Sequence, residues 1–153
     1  MPRRACLRVQ LPLLGAALAL SACGSAGSSP LTRAALQTRG NSACAALHRS
    51  LASLPAPAPA NTGPALSAYL SRVMSAERSE YRTLAALRPP LSEQAAYSAL
   101  LHGVSHRLAL LGGAATSARS GGNALGALQD AVVYEAGALP PLAQRLGLSS
   151  CST

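Results

Sequence analysis

Three breaks rich in proline or glycine divide residues 41–151 of this 153-residue chain into four segments. The breaks are "PAPAPANTGP" at residues 55–64, Arg88-Pro89-Pro90, and Gly121-Gly122. Proline disfavours helix in the residue before it, and glycine is a common helix stop. Between the breaks, apolar residues recur at spacings of three and four, and no strand-like alternation occurs. The pattern predicts an all-α fold, a small antiparallel four-helix bundle.

The apolar positions and capping residues predict where each helix lies. The first helix is expected over residues 41–54, with Cys44 in its first turn, and the second over 65–87. Ser92 is a plausible N-cap for the third helix, and Asn123 for the fourth. The fourth helix is expected to be interrupted at Pro140-Pro141. Its predicted apolar stripe consists of Leu125, Leu128, Val132, Ala136 and Leu139.

The N-terminal segment has the features of an export signal. Arg3, Arg4 and Arg8 precede an apolar run at residues 9–20 that is too short to span a bilayer. The run ends in "LSAC" at residues 20–23, which resembles the lipobox of bacterial lipoproteins. In that family the cysteine thiol receives a diacylglyceryl group, and cleavage leaves the cysteine as the new N-terminus. The resemblance implies that Cys23 is the lipidated residue.

The lipobox predicts three parts of the chain. Residues 1–22 form the signal peptide, residues 23–40 the lipidated cysteine with a flexible tether, and residues 41–151 the helical domain. The alternative is an ordinary secretory signal with a chance cysteine. "RRACLR" loosely resembles a twin-arginine signal, although Cys6 stands where that motif has a bulky apolar residue, so the export route stays open.

The charge distribution of the expected mature chain restricts the classes of partner that it can bind. Without residues 1–22, ten arginines face five acidic residues, and the arginines are scattered singly, with no dense cluster and no aromatic interleaving. Nucleic-acid binding therefore has little support. The expected partners are the membrane, through the lipid anchor, and an unidentified envelope protein or cell-wall polymer. The expected location is the extracytoplasmic face of the cell membrane.

Two cysteines remain after export and lipidation. Cys6 leaves with the signal peptide and Cys23 carries lipid, so Cys44 and Cys151 are left. In an exported protein such a pair predicts a disulfide, the alternative being two free buried thiols. The chain has no Phe and no Trp. Its core must therefore be built from small and medium aliphatic side chains, which would benefit from a covalent link.

Some of these motifs resemble a group of exported helical domains from GC-rich actinobacteria. The resemblance rests on the early cysteine, the proline-rich gap, "LAALRPP" at residues 84–90, a glycine turn, and "AQRLGLSSC" at residues 143–151. It covers about residues 41–151 and implies a helical bundle and a Cys44–Cys151 bridge. It implies no activity, because none of these motifs is catalytic.

Glu77 and Glu80 are the first candidates for chemistry. Both fall near the centre of the apolar face of the second helix. Inward-facing carboxylates are a feature of ferritin-like di-metal sites, but the Glu-x-x-His motif of those sites is missing from the sequence. The other interpretation is that they lie near a bundle edge and pair with arginines such as Arg107.

The histidines and tyrosines are weaker candidates. His102 and His106, at i and i+4, could present two imidazoles to a metal, with His48 as a third ligand, but their face is expected to be exposed. The tyrosines at positions 69, 81 and 97 are expected in the core, and Tyr134 as an exposed contact.

The sequence also lacks a G-x-S-x-G elbow and a phosphate-binding loop. We therefore expect an envelope lipoprotein that is not an enzyme, needs no cofactor and has a structural or protein-interaction role. The alternative is a small-ligand or metal-binding module of the envelope.

Overall fold

The computed structural model describes residues 29–55 and 63–152, and their fold is a bundle of four helices, as the sequence predicts. The helices are α1 (Arg33–Ala52), α2 (Pro64–Ala85), α3 (Gln94–Ser120) and α4 (Ala124–Leu146). Short 3-10 helices lie at Leu91–Glu93 and Ser149–Cys151. The predicted signal peptide, Cys23 and the linker residues 56–62 lie outside the described residues. None of the helices within residues 29–55 and 63–152 combines the length and the hydropathy of a membrane-spanning segment.

The first helix begins eight residues earlier than the sequence predicts. It starts at Arg33, and the Thr32 hydroxyl accepts a hydrogen bond from the amide of Ala35 as its N-cap. The predicted tether through residue 40 is therefore wrong for residues 33–40, which are helical. Leu36 and Gly40 of this added stretch are buried, so tertiary packing stabilises these turns.

The core consists of two groups of buried side chains stacked along the bundle. One group joins α1 and the end of α2 to the start of α3 and the end of α4, and includes Leu36, Leu84, Tyr97 and Leu146. The second fills the space between α2, α3 and the start of α4. The second group is rich in alanine, with Ala114, Ala115, Ala118, Ala124 and Ala131 all buried.

The predicted interruption of α4 at Pro140 and Pro141 is wrong. The helix continues through both prolines to Leu146. Each proline leaves the carbonyl four residues earlier without its amide donor. Those carbonyls belong to Ala136 and Gly137, which are exposed, so water can replace the missing donors.

The predicted apolar stripe of α4 is wrong for three of its five members. Leu139 is buried and Leu128 is partly buried, but Leu125, Val132 and Ala136 are exposed. Ala124 and Ala131 are buried instead. The reason is the close approach of α3 and α4, since a methyl group added at Gly103 of α3 would lie 2.6 Å from the Leu139 side chain. Gly103 and the buried alanines allow this close approach, whereas Leu125 and Val132 lie outside the interface.

The sequence "LGL" at residues 146–148 ends α4 in a Schellman motif. Gly147 is left-handed, with φ of 72°, and the amide of Leu148 donates to the carbonyl of Ala143. Leu146 and Leu148 are both buried, and Leu148 packs against Gly40 of α1. The motif therefore turns the chain from α4 onto α1.

We expect Gly147→Ala to destabilise the protein more than Gly121→Ala. Both glycines are left-handed, with φ of 72° and 73°, so both variants lose about 1 kcal/mol from backbone strain. A methyl group at Gly147 would also collide with the Gln37 side chain, whereas none of the described atoms lies within 4 Å of one at Gly121. Thermal unfolding of both variants measures the difference, and equal losses would contradict the close packing of Gly147 on α1.

Candidate functional site

A disulfide joins Cys44 to Cys151, and their α-carbons are 5.1 Å apart. Cys44 lies in the middle of α1, not in its first turn as the sequence analysis expected, because α1 starts at Arg33. The chain after α4 runs alongside α1 and so reaches this position. The disulfide therefore fixes the last 3-10 helix, Ser149–Cys151, against the centre of α1.

Polar side chains of α1 hold the chain end next to the disulfide. The Gln37 amide donates to the carbonyl of Leu146, and the Asn41 amide donates to that of Gly147. The Asn41 side-chain oxygen accepts a hydrogen bond from the amide of Ser150. The sequence pattern does not predict this role, because it places Asn41 at the start of the helix. The spacing of Gln37, Asn41 and Cys44, which puts them on one face of a helix, was the available signal.

Glu77 is fully buried in the centre of the bundle and faces Arg107 of α3. Arg107 Nη2 lies 2.8 Å from Glu77 Oε1 and 3.1 Å from Glu135 Oε2 of α4. The approach to Glu77 is not aligned for a hydrogen bond, and neither Glu77 oxygen has another donor within the described residues. The predicted pairing with Arg107 is thus confirmed for Glu77, but its predicted position at the bundle edge is wrong.

Both carboxyl groups of α2 have a raised pKa. Burial raises the pKa of Glu77 from 4.5 to about 7, Arg107 opposes this, and Glu135 adds to it. Burial also raises the pKa of Glu80 to about 7, and the neighbouring Glu77 raises it further. In each case the loss of water outweighs the attraction of Arg107. Both groups therefore titrate near neutral pH.

Glu80 lies beside the disulfide. Its carboxylate and the sulfur atoms of Cys44 and Cys151 are all within 4.8 Å of one another. This is the one group of three or more His, Cys, Asp or Glu residues in residues 29–55 and 63–152 with ligand atoms so close together. Since the two sulfurs are bonded to each other, neither is the thiolate that a metal needs.

A groove of about 500 Å³ runs between α1 and α2, and Glu80 lines it. Its apolar walls include Ala43, Leu47 and Leu87. Five hydroxyl groups also line it, from Thr38, Ser42, Ser50, Ser79 and Thr83. The sequence pattern does not reveal this groove, because its shape depends on the distance between α1 and α2.

The predicted metal candidates His102 and His106 are exposed on α3. His106 packs edge-on against the ring of Tyr134 of α4, with 4.5 Å between the ring centroids. Neither histidine, nor His48, belongs to a group of three metal ligands in the described part of the chain. The structure thus brings His106 together with an aromatic ring.

The tyrosines are mostly structural, as the sequence predicts. Tyr97 is buried, and its hydroxyl donates a hydrogen bond to the carbonyl of Leu84 at 2.7 Å. Burial, together with the charge of Glu80, raises the pKa of Tyr97 above its ordinary value. Tyr69 and Tyr81 are partly buried against the two core groups. Tyr134 is also partly buried, and not fully exposed as expected.

Comparisons with protein-family models, with curated proteins and with solved structures find no match for this chain.

Proposed function

We propose that this protein is a lipid-anchored envelope protein whose helical bundle has a non-enzymatic structural or protein-interaction role outside the cytoplasmic membrane. The observation that carries the anchoring is "LSAC" at residues 20–23, directly after a charged start and a short apolar run. The Cys44–Cys151 disulfide supports export, because disulfides persist mainly in oxidising compartments. Two or three acyl chains at Cys23 would be sufficient for stable attachment.

We expect Cys23→Ala to abolish acylation, and either to release the protein from membranes or to leave its precursor uncleaved. The reason is that the thiol is the atom that receives the lipid. Membrane fractionation and mass spectrometry of the N-terminus in the native host measure both effects. Cys6→Ala is the matched control, since Cys6 lies within the predicted signal peptide and should leave both unchanged. Unchanged processing and membrane retention of the Cys23 variant would contradict the anchor.

An interaction role is supported by an exposed apolar face on α4. Leu125, Val132 and Val133 are 68%, 55% and 64% exposed, and the exposed Ala136 lies on the same side of the helix. We call these four residues the exposed α4 patch. Large apolar side chains grouped on one helix face are typical of protein contact sites. We propose that the exposed α4 patch contacts an apolar surface of another envelope protein.

We expect a photoreactive amino acid at position 133 to crosslink to one discrete partner in intact cells. The same group at Ala68, an exposed position on α2, should give none. Val132→Ser introduced beside the crosslinker should reduce the adduct several-fold, because it removes apolar area from the contact. Gel mobility of the adducts provides the measurement. Adducts of equal yield at both positions, or insensitive to Val132→Ser, would contradict a specific contact.

A further inference from the structure

We propose that the groove between α1 and α2 binds a small aliphatic amine, whose ammonium group pairs with the carboxylate of Glu80. This site goes beyond the proposed anchoring and interaction role and does not depend on it. Glu80 lies on α2, with Ala43 and Leu47 of α1 across the groove. The volume of about 500 Å³ is within the range of small-ligand sites.

The unpaired charge of Glu80 is the first argument. Its side chain is partly buried, and its carboxylate has no hydrogen bond or ion pair within the described residues. Arg107, whose charge acts on Glu80, is already paired with Glu77 and Glu135. A partly desolvated carboxylate without a partner is unfavourable in its charged form. A cation entering the groove would supply the missing partner.

The walls of the groove argue for an organic cation with an aliphatic body. Its apolar lining residues are all alanine or leucine, which offer contact to methylene groups. The hydroxyls of Ser42, Ser79 and Thr83 can accept hydrogen bonds from ammonium N–H groups that do not reach Glu80. A metal ion fits less well, because the group of close His, Cys, Asp or Glu ligand atoms that includes Glu80 is completed by two disulfide sulfurs, which are not thiolates.

The pH dependence of binding follows from the groups around Glu80. Glu77 lies on the same helix, Tyr97 and Arg107 face it from α3, Glu135 from α4, and Arg39 lines the groove from α1. Because burial raises the pKa of Glu80 to about 7, the carboxyl is mostly neutral at pH 6 and mostly charged at pH 8. An alkylammonium ion keeps its charge over this range. Binding should therefore strengthen about tenfold from pH 6 to pH 8.

The test is calorimetric titration of the full chain, purified in detergent from whole-cell extract, with n-hexylammonium chloride. We expect a dissociation constant of about 1 mM at pH 8, in the range for a ligand of this size. 1-Hexanol and hexanoate, which share the aliphatic body, should bind at least tenfold more weakly. Titration into the detergent alone corrects for partition into micelles.

Three variants locate the site. Glu80→Gln should weaken binding about tenfold, because it removes a charge-assisted hydrogen bond. Asp130→Asn, which removes the same charge from an exposed position on α4, should change it less than twofold. Ala46→Leu, at an exposed position of the groove wall, should block the groove without changing any charge.

Each result either supports or overturns the proposal. Saturable binding that is weakened about tenfold in Glu80→Gln and lost in Ala46→Leu, but retained in Asp130→Asn, supports it. Equal binding by wild type and Glu80→Gln, equal binding of hexanol, or no saturable binding below about 20 mM overturns it. Thermal unfolding of each variant with and without hexylammonium provides a second readout. Only folded variants that retain the groove and Glu80 should be stabilised by the amine.

Discussion

Replacing Cys151 with serine is expected to lower the thermal midpoint by about ten degrees. The disulfide joins residues separated by 107 positions, so its loss frees a long loop in the unfolded chain. In the chain-entropy model this costs about 5 kcal/mol, which for a domain of this size corresponds to a midpoint shift of about ten degrees or more. The aliphatic core without Phe or Trp makes this a large share of the total stability. Thermal unfolding of the exported protein measures the effect.

The partner cysteine provides the control for this prediction. Cys44→Ser should give the same shift, and the double variant should be no less stable than either single variant, because all three lack the same bond. Mass spectrometry of the non-reduced wild type after alkylation should find no label on either cysteine. Two alkylatable thiols in the native protein, or additive losses in the double variant, would contradict the disulfide.

The free energy of unfolding is expected to fall as the pH rises from about 5 to 8. Glu77 and Glu80 have an ordinary pKa of 4.5 when the chain is unfolded and about 7 when it is folded. Between these values the folded state binds more protons than the unfolded state, so raising the pH destabilises it. The loss amounts to about 3 kcal/mol for one carboxyl group over the full shift. Denaturant titrations at intervals of one pH unit measure the profile.

Substitutions at Glu80 and Asp130 test whether the pH dependence of the free energy of unfolding comes from the two carboxyl groups with a raised pKa. Glu80→Gln should remove about half of the pH-dependent loss in the free energy of unfolding. It removes one of the two titrating carboxyl groups, together with the repulsion between that group and Glu77. Asp130→Asn should leave the profile unchanged, because Asp130 is exposed on α4. A wild-type stability that is constant or rises between pH 5 and 8 would show that the two carboxyl groups are not desolvated in solution.

The same two carboxyl groups are expected to limit how stable the bundle is at physiological pH. Arg107 forms ion pairs with both Glu77 and Glu135, and its charge also acts on Glu80. One positive charge therefore has to compensate three acidic side chains. Natural proteins often retain such unfavourable groups at functional positions. The proposed amine would add a second cation to this centre. That would explain how a stable domain tolerates Glu80.

The sequence by itself determined the helical architecture and the pairing of the cysteines. The three breaks between the helices act locally, through missing amides and left-handed backbone, so they could be read without knowing the packing. Pro140 and Pro141 are the exception, because α4 continues through both. Gly121 and Asn123 end α3 and begin α4 as the sequence predicts. Glu77 and Arg107 were also matched from the sequence, because they lie at compatible positions on neighbouring helices.

Only the tertiary structure decided which face of α4 is buried, where α1 begins, and how deep Glu77 lies. The hydrophobic pattern marks large apolar side chains, but α3 and α4 approach closely through glycine and alanine, which leaves Leu125 and Val132 outside. The first turns of α1 have weak local signals and are stabilised by contacts with the chain end more than 100 residues away. The groove beside Glu80 likewise exists only once α1 and α2 are placed, because it depends on the distance between two helices and not on either sequence segment alone.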